Sequence, residues 1–178
     1  MAAKFRFPVK RSPKSDPQQY RVYRMENEAI GARCYAKLTR AAIKSLARSV
    51  CRNYSVPQVK LAWADIGDWA AEWREQPSQR TSLIVLSTKK GTARDLITIT
   101  HELAHHVHHH LSAGADLAQH AHGPQFMACH MSVLDTCRVV PIVGMRAICQ
   151  AWGVEYIDPG TRNSLAKLTR IVRGRHRP

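Results

Sequence analysis

The sequence lacks several features that would place it in common classes of protein. It has no run of about eighteen apolar residues, which argues against a membrane-spanning helix, and its first residues lack the apolar stretch of a secretory signal. Its five cysteines form no Cys-x-x-Cys pair, so no structural zinc site of paired cysteines is predicted, and their odd, scattered number fits a reducing compartment. We expect an intracellular protein without a membrane partner, located in the cytoplasm, nucleoid or nucleus, with a virion as the alternative.

Acidic residues are scarce at both ends of the chain. Residues 1–24 hold seven Lys or Arg against one acid, and residues 161–178 hold six against none, so the two ends carry +12 of the net charge of +14. The middle is nearly balanced, and 178 residues with 44% hydrophobic composition suffice for one domain with a core. We predict a basic N-terminal extension over 1–24, a folded domain over 25–158 and a basic tail over 159–178.

The strongest candidate for chemistry is the sequence from His101 to His105, which reads His-Glu-Leu-Ala-His. Residues four apart on an α-helix share a face and lie about 6 Å apart, so these two imidazoles can bind one Zn²⁺. Glu102 flanks that face, where a carboxylate can accept a proton from a zinc-bound water without binding the ion itself. Two other histidine pairs have the same spacing: His105 with His109, and His106 with His110. Only the pair of His101 and His105 has a glutamate between its two histidines.

A third zinc ligand must come from another segment, because a catalytic zinc site has three protein ligands. His122 precedes Gly123 and Pro124, which predict the start of a new helix, and the positive end of that helix favours a neutral imidazole. Asp116 and His120 lie in the same loop and could also reach the metal. The residues alone therefore leave the choice among these three open.

The two motifs together resemble those of a known family. His-Glu-Leu-Ala-His followed by His-Gly-Pro-x-Phe, ending at Phe126, is similar to the SprT-like zinc metallopeptidases, the group that includes Spartan, and the likeness covers roughly residues 28–157. The resemblance implies a zincin-like fold and one Zn²⁺ bound by His101, His105 and His122. It also implies that Glu102 is the catalytic base and that the substrates are proteins attached to DNA.

The rest of the domain predicts an α+β fold. Val59, Leu61 and Trp63 alternate as in a strand, and residues 83–86 are an apolar run typical of a buried strand. The segment from Trp69 to Trp73 fits a helix and a strand equally well, and the resemblance favours a strand. Helices are predicted over 124–137 and 142–152. We expect a single zincin-like domain, with a small sheet of about three strands packed on an amphipathic N-terminal helix and on the helix of the His-Glu-x-x-His motif.

Six basic residues recur at intervals of three or four along that N-terminal helix and predict a cationic face. They are Arg33, Lys37, Arg40, Lys44, Arg48 and Arg52. Such a face can be merely solvated, but two basic tails beside it favour nucleic acid as the partner, through phosphate contacts. No base-reading motif is present, so sequence-specific binding is not predicted.

The pattern as a whole predicts a zinc metalloprotease acting on proteins bound to nucleic acid. His106 and Tyr156 are candidates for stabilising the oxyanion that forms when water attacks a peptide carbonyl. The alternative is a DNA-associated structural or packaging protein, of a virus for example, in which the zincin scaffold keeps its metal as a staple with little or no proteolysis. Regulatory cleavage of a single repressor fits the second motif less well.

Overall fold

Five α-helices and three strands make up the part of the chain that the computed structural model describes, residues 16–31, 36–76, 81–111 and 121–160. This confirms the predicted α+β class and the three-stranded sheet. The helices are α1 (Gln19–Met25), α2 (Arg40–Tyr54), α3 (Leu96–Leu111), α4 (Pro124–Thr136) and α5 (Ile142–Trp152). The strands are β1 (Lys60–Ala64), β2 (Ala71–Gln76) and β3 (Thr81–Ser87). The described residues contain no candidate for a membrane-spanning helix.

The sheet has the order β1-β3-β2, with β3 parallel to β1 and antiparallel to β2. Ile84 and Leu86 of the central strand are buried, as their β-branched or apolar character predicts. The ambiguous segment around Trp73 is a strand, in register with Ile84. Among the described residues β2 is an edge strand, and α3 packs against it.

Helix α2 begins later than the sequence predicts. Thr39 caps it, since its Oγ1 accepts a hydrogen bond from the backbone N–H of Ala42 at 3.1 Å. The preceding segment instead pairs with the chain just before α3, where the N–H of Leu38 donates to the carbonyl of Arg94 at 2.9 Å. The prediction of one cationic helix from residue 33 is therefore wrong at its start. Lys37 lies in that paired segment, and Arg33 lies outside the described residues.

The core lies where α2, α3 and α4 meet. Helix α2 buries Ile43, Val50 and Tyr54, which recur at helical spacing, and α3 buries Leu103 and Val107. The Tyr54 hydroxyl forms a buried hydrogen bond with the Ser132 hydroxyl of α4, and the two oxygen atoms are 2.7 Å apart. Helices α4 and α5 occupy almost the ranges predicted for them, with Pro124 in the first turn of α4.

Residues 16–24, which the sequence assigns to the N-terminal extension, belong to the folded structure. Val22 and Met25 of α1 are completely buried, and α1 packs against α5. A short π-helical stretch, Glu26–Ile30, continues α1 toward the core. The boundary that the sequence predicts between an extension and the domain, at residue 24, thus falls inside α1.

Candidate metal centre

Helix α3 carries the first two histidines of the site on one face. The Nε2 atoms of His101 and His105 lie 3.1 Å apart, as the four-residue spacing predicts. The opposite side of the helix is fixed in the core by Leu103 and Val107, which are fully buried. Packing of these apolar residues therefore determines the direction in which the two imidazoles point.

His122 reaches the same point from the turn before α4. Its Nε2 lies 3.2 Å from that of His101, and Gly123, which precedes the first residue of α4, is itself buried. The three imidazoles could hold a metal ion, since their nitrogen atoms lie close together. A tetrahedral Zn²⁺ with bonds of about 2.05 Å would separate its ligand nitrogens by about 3.3 Å, close to the two spacings found here. The other candidates for the third ligand, Asp116 and His120, lie outside the described residues.

Two carboxylates bind the far sides of these rings. Glu26 Oε1 lies 2.6 Å from Nδ1 of His101, and Asp16 Oδ2 lies 2.5 Å from Nδ1 of His122. An ionised carboxylate only accepts hydrogen bonds, so when Asp16 and Glu26 are ionised each ring donates from Nδ1 and leaves a lone pair on Nε2. Two such lone pairs face each other at 3.2 Å, an arrangement that a cation between them stabilises.

The charges around the site also fit a metal dication. Burial lowers the pKa of His101 to about 3 and that of His105 well below its ordinary value, so both rings are neutral at pH 7. Asp16, Glu26 and Glu102 are all buried, whereas no lysine or arginine is buried among the described residues. Buried carboxyl groups need a compensating charge to stay ionised, and a divalent ion would supply it.

Glu102 lies next to His101 in a cavity of about 350 Å³ and is only 8% exposed. Burial raises its pKa to about 8, while a hydrogen bond from the backbone of Trp73 acts in the opposite direction. The nearby carboxylates of Glu26 and Glu72 raise it further. The side chain therefore has the position and the proton affinity of a general acid–base group.

The cavity has a largely aromatic wall. Tyr23 contributes from α1, and Trp69 and Trp73 contribute from β2 and the residues before it. The Trp73 ring stacks on that of His105 at an angle of 25°, with centroids 6.3 Å apart. Trp69 is 38% exposed at the opening. The wall thus combines apolar surface with the polar groups of α3, as binding sites for organic substrates do.

A second group of possible metal ligands lies deeper in the protein. It consists of Glu26, His101 and His130, and Glu26 Oε1 is 3.3 Å from Nδ1 of His130. All three side chains are almost completely buried, and burial raises the pKa of Glu26 to about 7 and lowers that of His130 to about 4. The His130 side chain is itself completely buried. This group does not line the cavity except through His101, so a substrate would not reach it.

The two residues suggested for oxyanion stabilisation do not line the cavity. His106 Nε2 donates to the carbonyl of Pro57 at 2.8 Å, and Tyr156 packs against the core. Tyr23 does line it, with its ring centroid 5.5 Å from that of His101 and 5.0 Å from that of His122. Sequence reasoning missed Tyr23 and the two carboxylates; an acid placed alone among basic residues, as Asp16 is, was the one available signal.

The basic residues of α2 form a separate surface. Arg40, Lys44, Arg48 and Arg52 are exposed, at the spacing of one helical face. The Arg40 guanidinium lies 5.0 Å above the ring of Trp63 in β1, and the Lys44 ammonium lies 5.9 Å from it. These are cation–π contacts that hold two of the four cations against the sheet.

Comparison of the chain with family models, with curated proteins and with solved structures gives no match. Its function must therefore be inferred from the site itself and from the motif residues that build it.

Proposed function

We propose that the chain is a zinc-dependent metalloprotease of the SprT-like type, with a zincin-like fold, that hydrolyses proteins bound to nucleic acid. The observation that carries this proposal is the convergence of three imidazole nitrogens beside Glu102 in an open cavity. A ligand set of three imidazole nitrogen atoms suits Zn²⁺ better than Ca²⁺ or Mg²⁺, which prefer oxygen ligands. A cavity lies next to the three imidazoles, whereas a structural zinc site is closed.

The zinc ion would supply Lewis acidity, polarising a peptide carbonyl and lowering the pKa of the attacking water to about 7. Glu102 takes up the proton of that water and returns it to the leaving amine. Burial raises its pKa to about 8 in the absence of the ion, and the positive charge of a bound ion would lower the pKa from there, toward a range in which a proton is both accepted and released readily. Burial also raises the pKa of Tyr23, which lines the cavity, so its phenol stays protonated.

An extended polypeptide fits the surroundings of the site. Strand β2 has one neighbour in the described sheet, and Glu72 and Trp73 of that strand line the cavity. A substrate segment lying along this edge could form main-chain hydrogen bonds without needing a particular sequence. This supports a protease that selects its substrates by location more than by side chains.

The location would come from nucleic acid. Four exposed cations on α2 span about 18 Å of helix, a length suited to several successive phosphates. Together with the basic ends of the sequence, they would hold the enzyme near other bound proteins and raise the effective concentration of substrate.

One observation favours the structural alternative, a nucleic-acid-associated protein whose metal is a staple. His101 and His122 are each 3% exposed, and Glu102 is nearly as well shielded. A metal held this deeply would contribute folding energy whether or not it hydrolyses anything.

Glu102→Gln tests the proposal against that alternative. The substitution keeps the size of the side chain and removes its ability to accept a proton, while all three imidazoles remain. Zinc stoichiometry would be measured for both proteins, together with cleavage of the chain itself and of a DNA-bound protein, with and without single-stranded DNA.

We expect equal zinc binding in both proteins and hydrolysis in the wild type alone, with a rate that DNA increases. Loss of Glu102 should lower the turnover by about 10²-fold or more. Intact zinc and DNA binding with no turnover in either protein would favour the structural role. Absence of zinc binding by the wild type would overturn both functions.

A further inference from the structure

We propose that Asp16 and Glu26 are positioning residues of the metal centre, which orient the rings of His122 and His101. The segment from 16 to 26 would then be needed for metal binding. The inference rests on the metal site of the proposed function and assigns a role to two side chains outside both motifs. Glu26 Oε1 meets Nδ1 of His101 at 2.6 Å, and Asp16 Oδ2 meets Nδ1 of His122 at 2.5 Å.

Each contact fixes which ring nitrogen carries the proton. A carboxylate accepts from Nδ1–H, so Nε2 of the same ring stays unprotonated and can bind the metal. Without the carboxylate the proton could move to Nε2, where it would block binding. A negative charge on the far side of the ring also makes Nε2 a stronger ligand.

The two carboxylates also match the charge that the site would take up. His101, His105 and His122 are neutral ligands, so a divalent ion among them keeps its full charge. Asp16 and Glu26 can together supply two negative charges when both are ionised; both are buried, and each is one imidazole away from the point where the three rings meet. The pair can therefore neutralise the ion in a region from which water is largely excluded.

The segment that holds Asp16 is itself fastened to the third ligand. Gln18 donates from Nε2 to the carbonyl of His122 at 2.6 Å and to that of Glu155 at 3.0 Å, and its Oε1 accepts from the N–H of Glu155 at 2.9 Å. Arg21 donates to the carbonyl of Gly153 at 2.7 Å. These contacts join the start of the described chain, the His122 turn and the chain after α5 into one unit.

Zinc affinity measured by competition with a chelator is the first test. Glu26→Gln and Asp16→Asn keep an oxygen acceptor but remove the charge, and Glu26→Ala and Asp16→Ala remove both. We expect the affinity to fall by about 10- to 100-fold in the alanine variants and by less in the amide variants, because the amides can still orient the rings. Matched controls are Glu28→Gln and Asp68→Asn, whose side chains are exposed and pair with Arg24 and Lys90.

The tautomer of each ring in the metal-free wild type is the second test, and it does not depend on a variant that folds. Long-range ¹H–¹⁵N NMR spectra distinguish a proton on Nδ1 from one on Nε2. We expect His101 and His122 to carry it on Nδ1. A proton on Nε2 of either ring would overturn the role of its carboxylate.

The outcomes separate this role from the proposed function. If the wild type binds zinc and all four variants bind it within about twofold of the controls, the positioning role is overturned and the protease proposal stands. If the wild type binds no zinc, both fail. Graded loss, with alanine worse than amide and the controls unchanged, supports the positioning role whatever the turnover of the enzyme.

Discussion

The carboxylate of Glu102 accepts a hydrogen bond from the backbone of Trp73, which joins helix α3 to β2, the edge strand of the sheet. The contact lies inside the cavity wall, so the candidate base is held against the strand along which a substrate would lie. A single buried hydrogen bond does not offset the loss of water around the charge, and the pKa of Glu102 stays raised, at about 8.

Glu102→Gln should change how the stability of the metal-free protein depends on pH. A carboxyl whose pKa is raised in the folded state contributes stability that is complete below its unfolded value, about 4.5, and is lost as the pH rises through about 8. The variant lacks that loss, so its free energy of unfolding should increasingly exceed that of the wild type between these values. Each pH unit that separates the folded pKa from the unfolded pKa corresponds to about 1.4 kcal/mol. Urea unfolding at several pH values measures the difference, and parallel curves would contradict the raised pKa.

Zinc should stabilise the wild type and not a variant that lacks the third ligand. At a free concentration of about 100 times its Kd, a ligand that binds only the folded protein adds about 2.7 kcal/mol to the free energy of unfolding. His122→Ala removes the only ligand of the three that lies outside α3, so the rise in melting temperature with added zinc should largely disappear. His110→Ala, on the same helix as the other two ligands but outside the metal group, should keep it.

The sequence predicted those parts of the site that depend on neighbouring residues, and it missed those that depend on contacts between residues far apart in the chain. The spacing of His101 and His105 is a local property of a helix, and Gly123 with Pro124 marks a helix start wherever it lies, so both could be predicted. Glu26 and Asp16 lie 75 and 106 residues from the histidines they contact. No periodicity relates positions so far apart, and only the packing of the folded chain brings them together.

The start of α2 shows the same limit on a smaller scale. The basic pattern continues through Lys37 without interruption, and charge alone gives no sign that the helix should stop there. Leu38 instead pairs with Arg94, more than fifty positions away. Thr39 was the local signal, because a threonine before a run of helix-forming residues is a common cap.

Tyr54→Phe should destabilise the fold without affecting the metal site. The Tyr54 hydroxyl is fully buried and contacts the hydroxyls of Ser132 at 2.7 Å and Thr136 at 3.0 Å, which links α2 to α4. Its removal leaves buried partners without their bond and should cost about 1–3 kcal/mol in the free energy of unfolding. Tyr156→Phe, at a half-buried tyrosine, should change it by about 0.5 kcal/mol or less. Equal zinc affinity in both variants and the wild type would show that the change is confined to the core.

The exposed cations of α2 should determine how steeply nucleic-acid binding depends on salt. Each phosphate contact contributes about 0.7 to the slope of log affinity against log salt for a single strand. Replacing all four, Arg40, Lys44, Arg48 and Arg52, by glutamine should therefore lower the slope by about 3, with similar losses on oligonucleotides of unrelated sequence.

Exposed cations elsewhere in the described structure provide the control for that experiment. Lys89, Lys90 and Arg146 are already paired with Asp65, Asp68 and Asp158. A cation paired with an acid has less charge to offer a phosphate, so replacing these three by glutamine should change the slope much less. An unchanged slope in the α2 variant would show that the helix is only a solvated face, and equal losses in both variants would mean that binding responds to net charge rather than to this surface.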